Sequence, residues 1–270
     1  MESQGTVARV RIDSSGEQYP LCTTPSELLE VIRRIRDAVH VVRLANGQMA
    51  CILSNLSHSA SNDGGNSGLE HIGTLPGLYP EWLGDREFAE VHGTRFPYIV
   101  GEMAQGIATT EMVCAAAENG LLGFFGSAGL PPQRIDDAVA EITHRLGPGK
   151  ISWGANLIHM PQDAAAEEAV VDVLLNRKVC RASVSAFMAL APSVVRFAAN
   201  GLERDSNGVV RRNHHVFAKI SRPEVARQFM SPPPQSMLHD MVASGAITAE
   251  QAELAESVPV AEDITVESDS

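Results

Sequence analysis

The sequence predicts an α/β protein built on a parallel sheet, preceded by a smaller α+β region. Three observations carry this reading. Phe96 to Leu130 runs as strand, glycine-punctuated turn, helix and strand within about thirty residues, which is one βαβ unit. The same unit recurs down the chain to Ser270. Residues 1–95 lack that period and read instead as short strands, one helix and a polar loop.

In the first region, Val7 to Ile12 alternates like a strand, and Pro25 to Ala38 carries a helical stripe of Leu28, Leu29, Ile32 and Ile35. Val39 to Leu44 and Gln48 to Leu53 are predicted strands, joined through Asn46-Gly47 in a type I′ hairpin. Ser54 to Gly68 is small and polar, a loop pattern. Residues 1–95 are therefore an accessory α+β layer, and 96–270 form the repeating βα domain.

Within that domain the first two strands are Pro97 to Val100 and Leu121 to Phe125. The helix between them is capped by Thr109 or Thr110 and ended by Gly120. The third strand, Ile151 to Ile158, follows a helix with Ile135, Val139, Ile142 and Leu146 on one face. The fourth, Cys180 to Phe187, follows a helix carrying Val170, Val171, Leu174 and Leu175. Pro192 suits the first turn of the next helix, and a turn at Asp205 to Gly208 leads to the fifth strand, His215 to Ser221. Two helices follow, near Met237 to Ala243 and Thr248 to Glu256, the second with capping-box spacing at Thr248 and Gln251. Asp263 to Glu267 is the sixth strand. Repeated βα units suit either a doubly wound sheet or a (β/α)₈ barrel, and no G-x-G-x-x-G follows the first strand to favour a dinucleotide fold.

The net charge of −12 argues against nucleic acid or an anionic membrane as the main partner, although a local basic cluster can still serve one phosphate group. No run of about 18 apolar residues exists to span a bilayer, and no secretion signal opens the chain. Cys22, Cys51, Cys114 and Cys180 are scattered, the pattern of free thiols in a reducing cytoplasm. No metal site is expected: His214 and His215 are adjacent, so on a strand they point to opposite faces. The acidic pairs Asp136-Asp137 and Glu167-Glu168 read as solvated helix faces, and no G-x-S-x-G marks a serine hydrolase.

Three positions near the C-terminal ends of strands stand out, because barrel active sites gather there. Met103 lies in the turn Gly101-Glu102-Met103-Ala104-Gln105-Gly106, whose small residues let a flat ligand approach the backbone. Asn156 is an amide in an apolar strand. Lys219 is a lone cation in another, and a charge there needs an anion or an open mouth.

With these residues identified, the chain resembles the PfaD family of trans-acting enoyl reductases, within the flavin-dependent group that includes nitronate monooxygenases. The matching text includes PEWLGDREFAEVHG (80–93), FPYIVGEMAQGIATTEMV (96–113), GLLGFFGSAGL (120–130), GANLIHMPQDAAAEEAVVD (154–172), VSAFMALAPSVVRF (184–197) and FAKISRPEVARQFMSPPP (217–234). It continues through 245–270. The resemblance implies an FMN-binding (β/α)₈ TIM barrel, here with about six of its eight strands. It also implies reduction of an enoyl group carried on the acyl carrier protein of a polyunsaturated fatty acid or polyketide synthase. NADPH would supply the hydride and FMN would relay it. By the same resemblance, Gly101, Glu102 and Met103 back the flavin ring, Asn156 meets its pyrimidine edge and Lys219 approaches N1 and O2. Nitronate monooxygenase chemistry and a non-catalytic docking role are the alternatives, and oligomeric state, a homo-oligomer included, is left open.

In the family, the segment matching VESDS (266–270) runs directly into Gly-Gly-His, whose histidine is the usual catalytic group. The catalytic residue is therefore expected beyond Ser270. Asp269 and Ser270 would be the last cofactor contacts, and the chain is expected to be a fragment that binds FMN weakly by itself.

Overall fold

The computed structural model describes residues 9–10, 19–54 and 69–266. The chain divides into two compact units, Met1–Leu83 and Gly84–Ser270.

The first unit is an antiparallel sheet of five strands: β1 (Arg9–Val10), β2 (Tyr19–Cys22), β3 (Ala38–Leu44), β4 (Met49–Ser54) and β5 (Leu69–Leu75), in the order β1-β2-β4-β3-β5. Sequence reasoning missed β2 and β5, because Pro20 and Gly73 interrupt their patterns. Helix α1 (Pro25–Arg33) starts at Thr24, whose hydroxyl and Glu27 form a capping box. It ends five residues before the expected Ala38, which instead pairs with Ser54 in the sheet. The stripe is also corrected: Leu29, Ile32 and Ile35 are exposed, while Val31 is buried against Cys22 and Leu53. The β3–β4 turn is not type I′, which needs positive φ at both Asn46 and Gly47. Only Gly47 is left-handed (φ 82°), and Leu44 N–H donates to Gln48 O, a three-residue loop. The loop expected at 54–68 lies outside the described residues after Ser54, which belongs to β4.

The second unit holds the parallel sheet. A 3₁₀ turn (Pro80–Trp82) precedes it in the chain. Its first helix, α2 (Arg86–His92), is capped by Asp85 and closed by left-handed Gly93. Then come β6 (Ile99–Val100), α3 (Thr110–Glu118), β7 (Leu122–Phe125), α4 (Pro132–Leu146), β8 (Trp153–Ile158), α5 (Ala164–Asn176), β9 (Arg181–Ser185) and α6 (Pro192–Asn200). A hairpin of β10 (Leu202–Arg204) and β11 (Val210–Arg212) follows, around the turn expected at Asp205 to Gly208. The unit ends with β12 (His215–Ile220), α7 (Pro223–Phe229), α8 (Gln235–Ala243), α9 (Ala249–Ala255) and β13 (Asp263–Val266).

Six strands pair in parallel in the order β6-β7-β8-β9-β12-β13, with the helices packed around them. This is a six-stranded partial TIM barrel, and each of its strands coincides with one read from the sequence. Thr109, not Thr110, caps α3: its hydroxyl accepts from Met112 N–H. One face of the sheet, with Ala155, Leu157, Ala182, Val184 and Ala218, packs on the helices in one continuous core. The other face holds Leu122, Phe124 and Phe217, and Phe88 of α2 packs against them. Gly154 is needed for that second layer, since a Cβ there would meet the Phe124 ring at 2.6 Å and Arg181 O at 2.4 Å.

Candidate functional site

The glycine-bounded turn after β6 is bound tightly to the loop after β7. Gln105 N–H donates to Ala128 O (2.9 Å), Gly106 N–H to Gly126 O (2.8 Å) and Gly126 N–H to Ala108 O (3.1 Å). A Cβ on Gly126 would lie 1.7 Å from Met103 O, so only glycine permits this approach. Gln105 is held at φ 59° by the same contacts, a left-handed conformation that costs a non-glycine residue about 1 kcal/mol or more. The turn presents Met103, 41% exposed, and open space over Gly101, where an added methyl would meet no atom within 4 Å.

Three predicted residues meet at the carboxylate of Glu102. Its Oε1 lies 3.7 Å from Lys219 Nζ and 3.5 Å from Asn156 Nδ2. Glu102 is 8% exposed at its side chain and Lys219 30%, so the ion pair sits half out of water. Asn156, 2% exposed, donates through Nδ2 to Ser183 O (2.9 Å) and Ser185 Oγ (3.0 Å). Those two bonds use both amide hydrogens. The Ser183 carbonyl also fixes the amide's orientation, since a flipped Oδ1 would face a second acceptor. What Asn156 has left to offer a ligand is therefore an acceptor, Oδ1. Ser127, buried at the end of β7, donates its hydroxyl to Asn156 O and ties the two strand ends together. Asp269 and Ser270 lie outside the described residues.

A cleft of about 350 Å³ opens beside Asn156, walled by Ser127, Leu130, Pro131, Ile158 and Met160. Its lining is mostly apolar, which suits a hydrocarbon chain rather than a charged group.

Sequence reasoning missed Glu167 and His159. Glu167 is buried rather than solvated: Oε2 accepts from Met160 N–H (2.7 Å) and faces His159 Nδ1 (2.9 Å), and Oε1 accepts from the Ser193 hydroxyl. The carboxylate thus locks the loop after β8 to the start of α6 and fixes the His159 ring, which also packs on Phe187 at 4.7 Å. The signal was available, because Glu167 lies at i−3 and i−4 from Val170 and Val171 on the buried face of α5. Cys180 is half-exposed and precedes β9 rather than opening the strand as expected. Among the described residues, no group of three His, Cys, Asp or Glu side chains could hold a metal ion, and no helix is long and apolar enough to cross a membrane.

No family model matches the chain. Known proteins do resemble it. A polyunsaturated fatty acid synthase subunit of Thraustochytrium sp. is 46% identical over 188 residues, covering 70% of this chain and 12% of the relative. The polyketide biosynthesis protein PksE of Bacillus subtilis is 40% identical over 194 residues, covering 72% of this chain and 25% of PksE. The crystal structure of the enoyl reductase domain of MlnA, from the macrolactin biosynthesis cluster of Bacillus amyloliquefaciens, superposes with a TM-score of 0.67. It is 36% identical and covers 70% of this chain and 43% of that one. These matches fit the resemblance to the PfaD-like enoyl reductases. The chain spans a quarter or less of the length of these two curated relatives. The Glu102–Asn156–Lys219 cluster lies at the C-terminal ends of the strands, where barrel chemistry is expected.

Proposed function

We propose that the protein, in its full native length, is a flavin-dependent enoyl reductase serving in trans a polyunsaturated fatty acid or polyketide synthase. The observation that carries this is the convergence of Asn156 and Lys219 on one open turn, within a chain similar to an enoyl reductase domain. The donor set fits the ring end of FMN. Gly101 and Met103 would offer a flat ring little bulk, Asn156 Oδ1 would be the acceptor for an imide N–H, and Lys219 would supply a cation for the edge that gains negative charge on reduction. When bound, FMN supplies the hydride that saturates the enoyl thioester, replenished from NADPH.

The chain's own residues do the orienting. Ser183 and Ser185 fix Asn156, Glu102 holds the Lys219 ammonium near the cluster, and the Gln105 and Gly126 backbone keeps Met103 at the surface of the turn. The apolar cleft beside Asn156 would take the acyl chain, leaving its thioester toward the open mouth. Such a substrate arrives on acyl carrier protein.

The test is flavin uptake by the purified full-length protein, followed by NADPH oxidation with an enoyl thioester and with a nitronate. Yellow protein that turns over the enoyl thioester faster supports the reading. A protein that never takes up FMN, or that prefers the nitronate, overturns it.

A further inference from the structure

Two of the cysteines stand opposite each other in the first unit. Where β2 pairs antiparallel with β4, Leu21 faces Ile52 and Cys22 faces Cys51. Directly opposed residues of an antiparallel pair carry their side chains on one face of the sheet, with Cα atoms about 4.5–5.5 Å apart. That face is the one α1 covers. Cys22, 6% exposed, packs with Val31 of α1 and Leu53 of β4, and Cys51 lies against the same cluster beside Leu28 and Val39. Leu21, Val42, Ala50 and Ile52 fill the other face, so the alternation along both strands brings the two sulfurs to the same side. No strand pairing among the described residues sets Cys114 or Cys180 against another cysteine.

This register meets the geometric demand of a disulfide, which needs Cα atoms about 4.4–6.8 Å apart and Cβ bonds on the same side. Cys22 is the last residue of β2, and the chain turns at once into the Thr24 cap of α1, so the backbone there has room to adjust. Burial raises the pKa of both thiols, and Cys22 is raised further by the Glu27 carboxylate and by Cys51. Both are therefore protonated thiols at neutral pH. That Cys51 acts on Cys22 at all reflects how near the two sulfurs lie. The seam they occupy is short: β2 joins the rest of the sheet through β4 alone, and β1 joins it through β2.

We propose that Cys22 and Cys51 are a redox-sensitive pair that closes to a reversible disulfide under hydroperoxide and staples β1 and β2 to the sheet. Cys51, the more exposed of the two, attacks the peroxide O–O bond. One oxygen stays on its sulfur as a sulfenic acid, and the other leaves with the thiol proton as water. The Cys22 sulfur then displaces the second oxygen, also as water, and the S–S bond forms. The two thiols lose two electrons and two protons, and one hydrogen peroxide becomes two waters. A dithiol reverses the closure by exchange. The covalent ring of residues 22–51 encloses α1 and β3, and it holds the short β2–β4 seam shut. The device belongs to the first unit and does not depend on the flavin reading of the second.

Peptide mapping tests the pair directly. The native chain is treated with hydrogen peroxide at about 1 mM, blocked with N-ethylmaleimide before unfolding, and its monomeric fraction is digested without reductant for mass spectrometry. The peptides of Cys22 and Cys51 are expected linked, about tenfold above any other cysteine pair, and released by dithiothreitol. Amide exchange in the peptide spanning β2 is expected to slow about fivefold or more in the oxidised protein. The comparison is with dithiothreitol-treated protein of the same sequence, so no variant has to fold. Cys22 and Cys51 that stay unlinked at every peroxide dose the fold survives overturn the pairing. Linkage with unchanged exchange in β2 overturns the staple.

Discussion

At the C-terminal end of the strands, Glu102, Asn156 and Lys219 meet half out of water, on a turn whose backbone is held in a rare conformation. At the N-terminal end, Arg181 and Arg212 are buried among histidines, and the acids Glu262 and Asp263 stand outside them. One end spends its local order on backbone geometry and leaves a face open, while the other holds charge in a low-dielectric interior. The same parallel sheet thus offers two polar sites of different physics. Substitutions should break each in its own way.

The backbone end should give the largest effect. Gly126→Ala places a methyl 1.7 Å from Met103 O, and neither strand end can retreat without losing the three hydrogen bonds that join them. A loss of about 3 kcal/mol or more in urea unfolding is expected. A change below about 0.5 kcal/mol would show that this turn is free to move.

At the buried end, His92→Ala removes the acceptor of Arg181 Nε and strands a donor in the interior. The expected cost is about 2–3 kcal/mol, and His92→Gln, which keeps an acceptor, should recover part of it. Equal losses in both variants would point to packing against Phe88 and Phe217 instead.

The buried histidines also set a pH dependence. As pH falls from 7 to 5, the unfolded chain takes up protons at histidines of ordinary pKa near 6.5, while folded His215 stays neutral down to about 3. The unfolded state binds more protons, so stability falls with pH, by about 2 kcal/mol at pH 5 from this group alone. Burial holds His214 low as well and adds in the same direction. His215→Gln should flatten the wild-type slope measured by urea unfolding at pH 7 and pH 5, and an unchanged slope would remove His215 from this account.

Legibility differs between the two ends for a physical reason. Met103, Asn156 and Lys219 were visible because each breaks a local pattern, a polar or bare position at the end of an apolar strand. The six parallel strands were visible for the same reason, as buried runs between helical periods. The N-terminal site was not, because His92, Arg181, Arg212 and Asp263 come from four elements far apart in the chain. In sequence, Arg181 is only a charge before an apolar run. Strands β2 and β5 of the first unit were hidden by Pro20 and Gly73, which pairing with neighbours overrode.

The smallest expected effects, and the most discriminating, are at the Glu102–Asn156–Lys219 cluster proposed to face the flavin. Lys219→Met removes the cation and should weaken FMN binding about tenfold, near the net value of one charge-assisted hydrogen bond. Glu102→Gln keeps the shape but removes the anion 3.7 Å from that ammonium. With that anion gone, the Lys219 charge should tighten FMN about threefold and favour the reduced flavin. The double variant should resemble Lys219→Met, because without the cation the carboxylate has nothing left to screen. Fluorescence titration of FMN into the three proteins reads all of these. If Glu102→Gln weakens binding as much as Lys219→Met, the carboxylate is itself a contact, and the ring lies against Glu102 rather than the cation beside it.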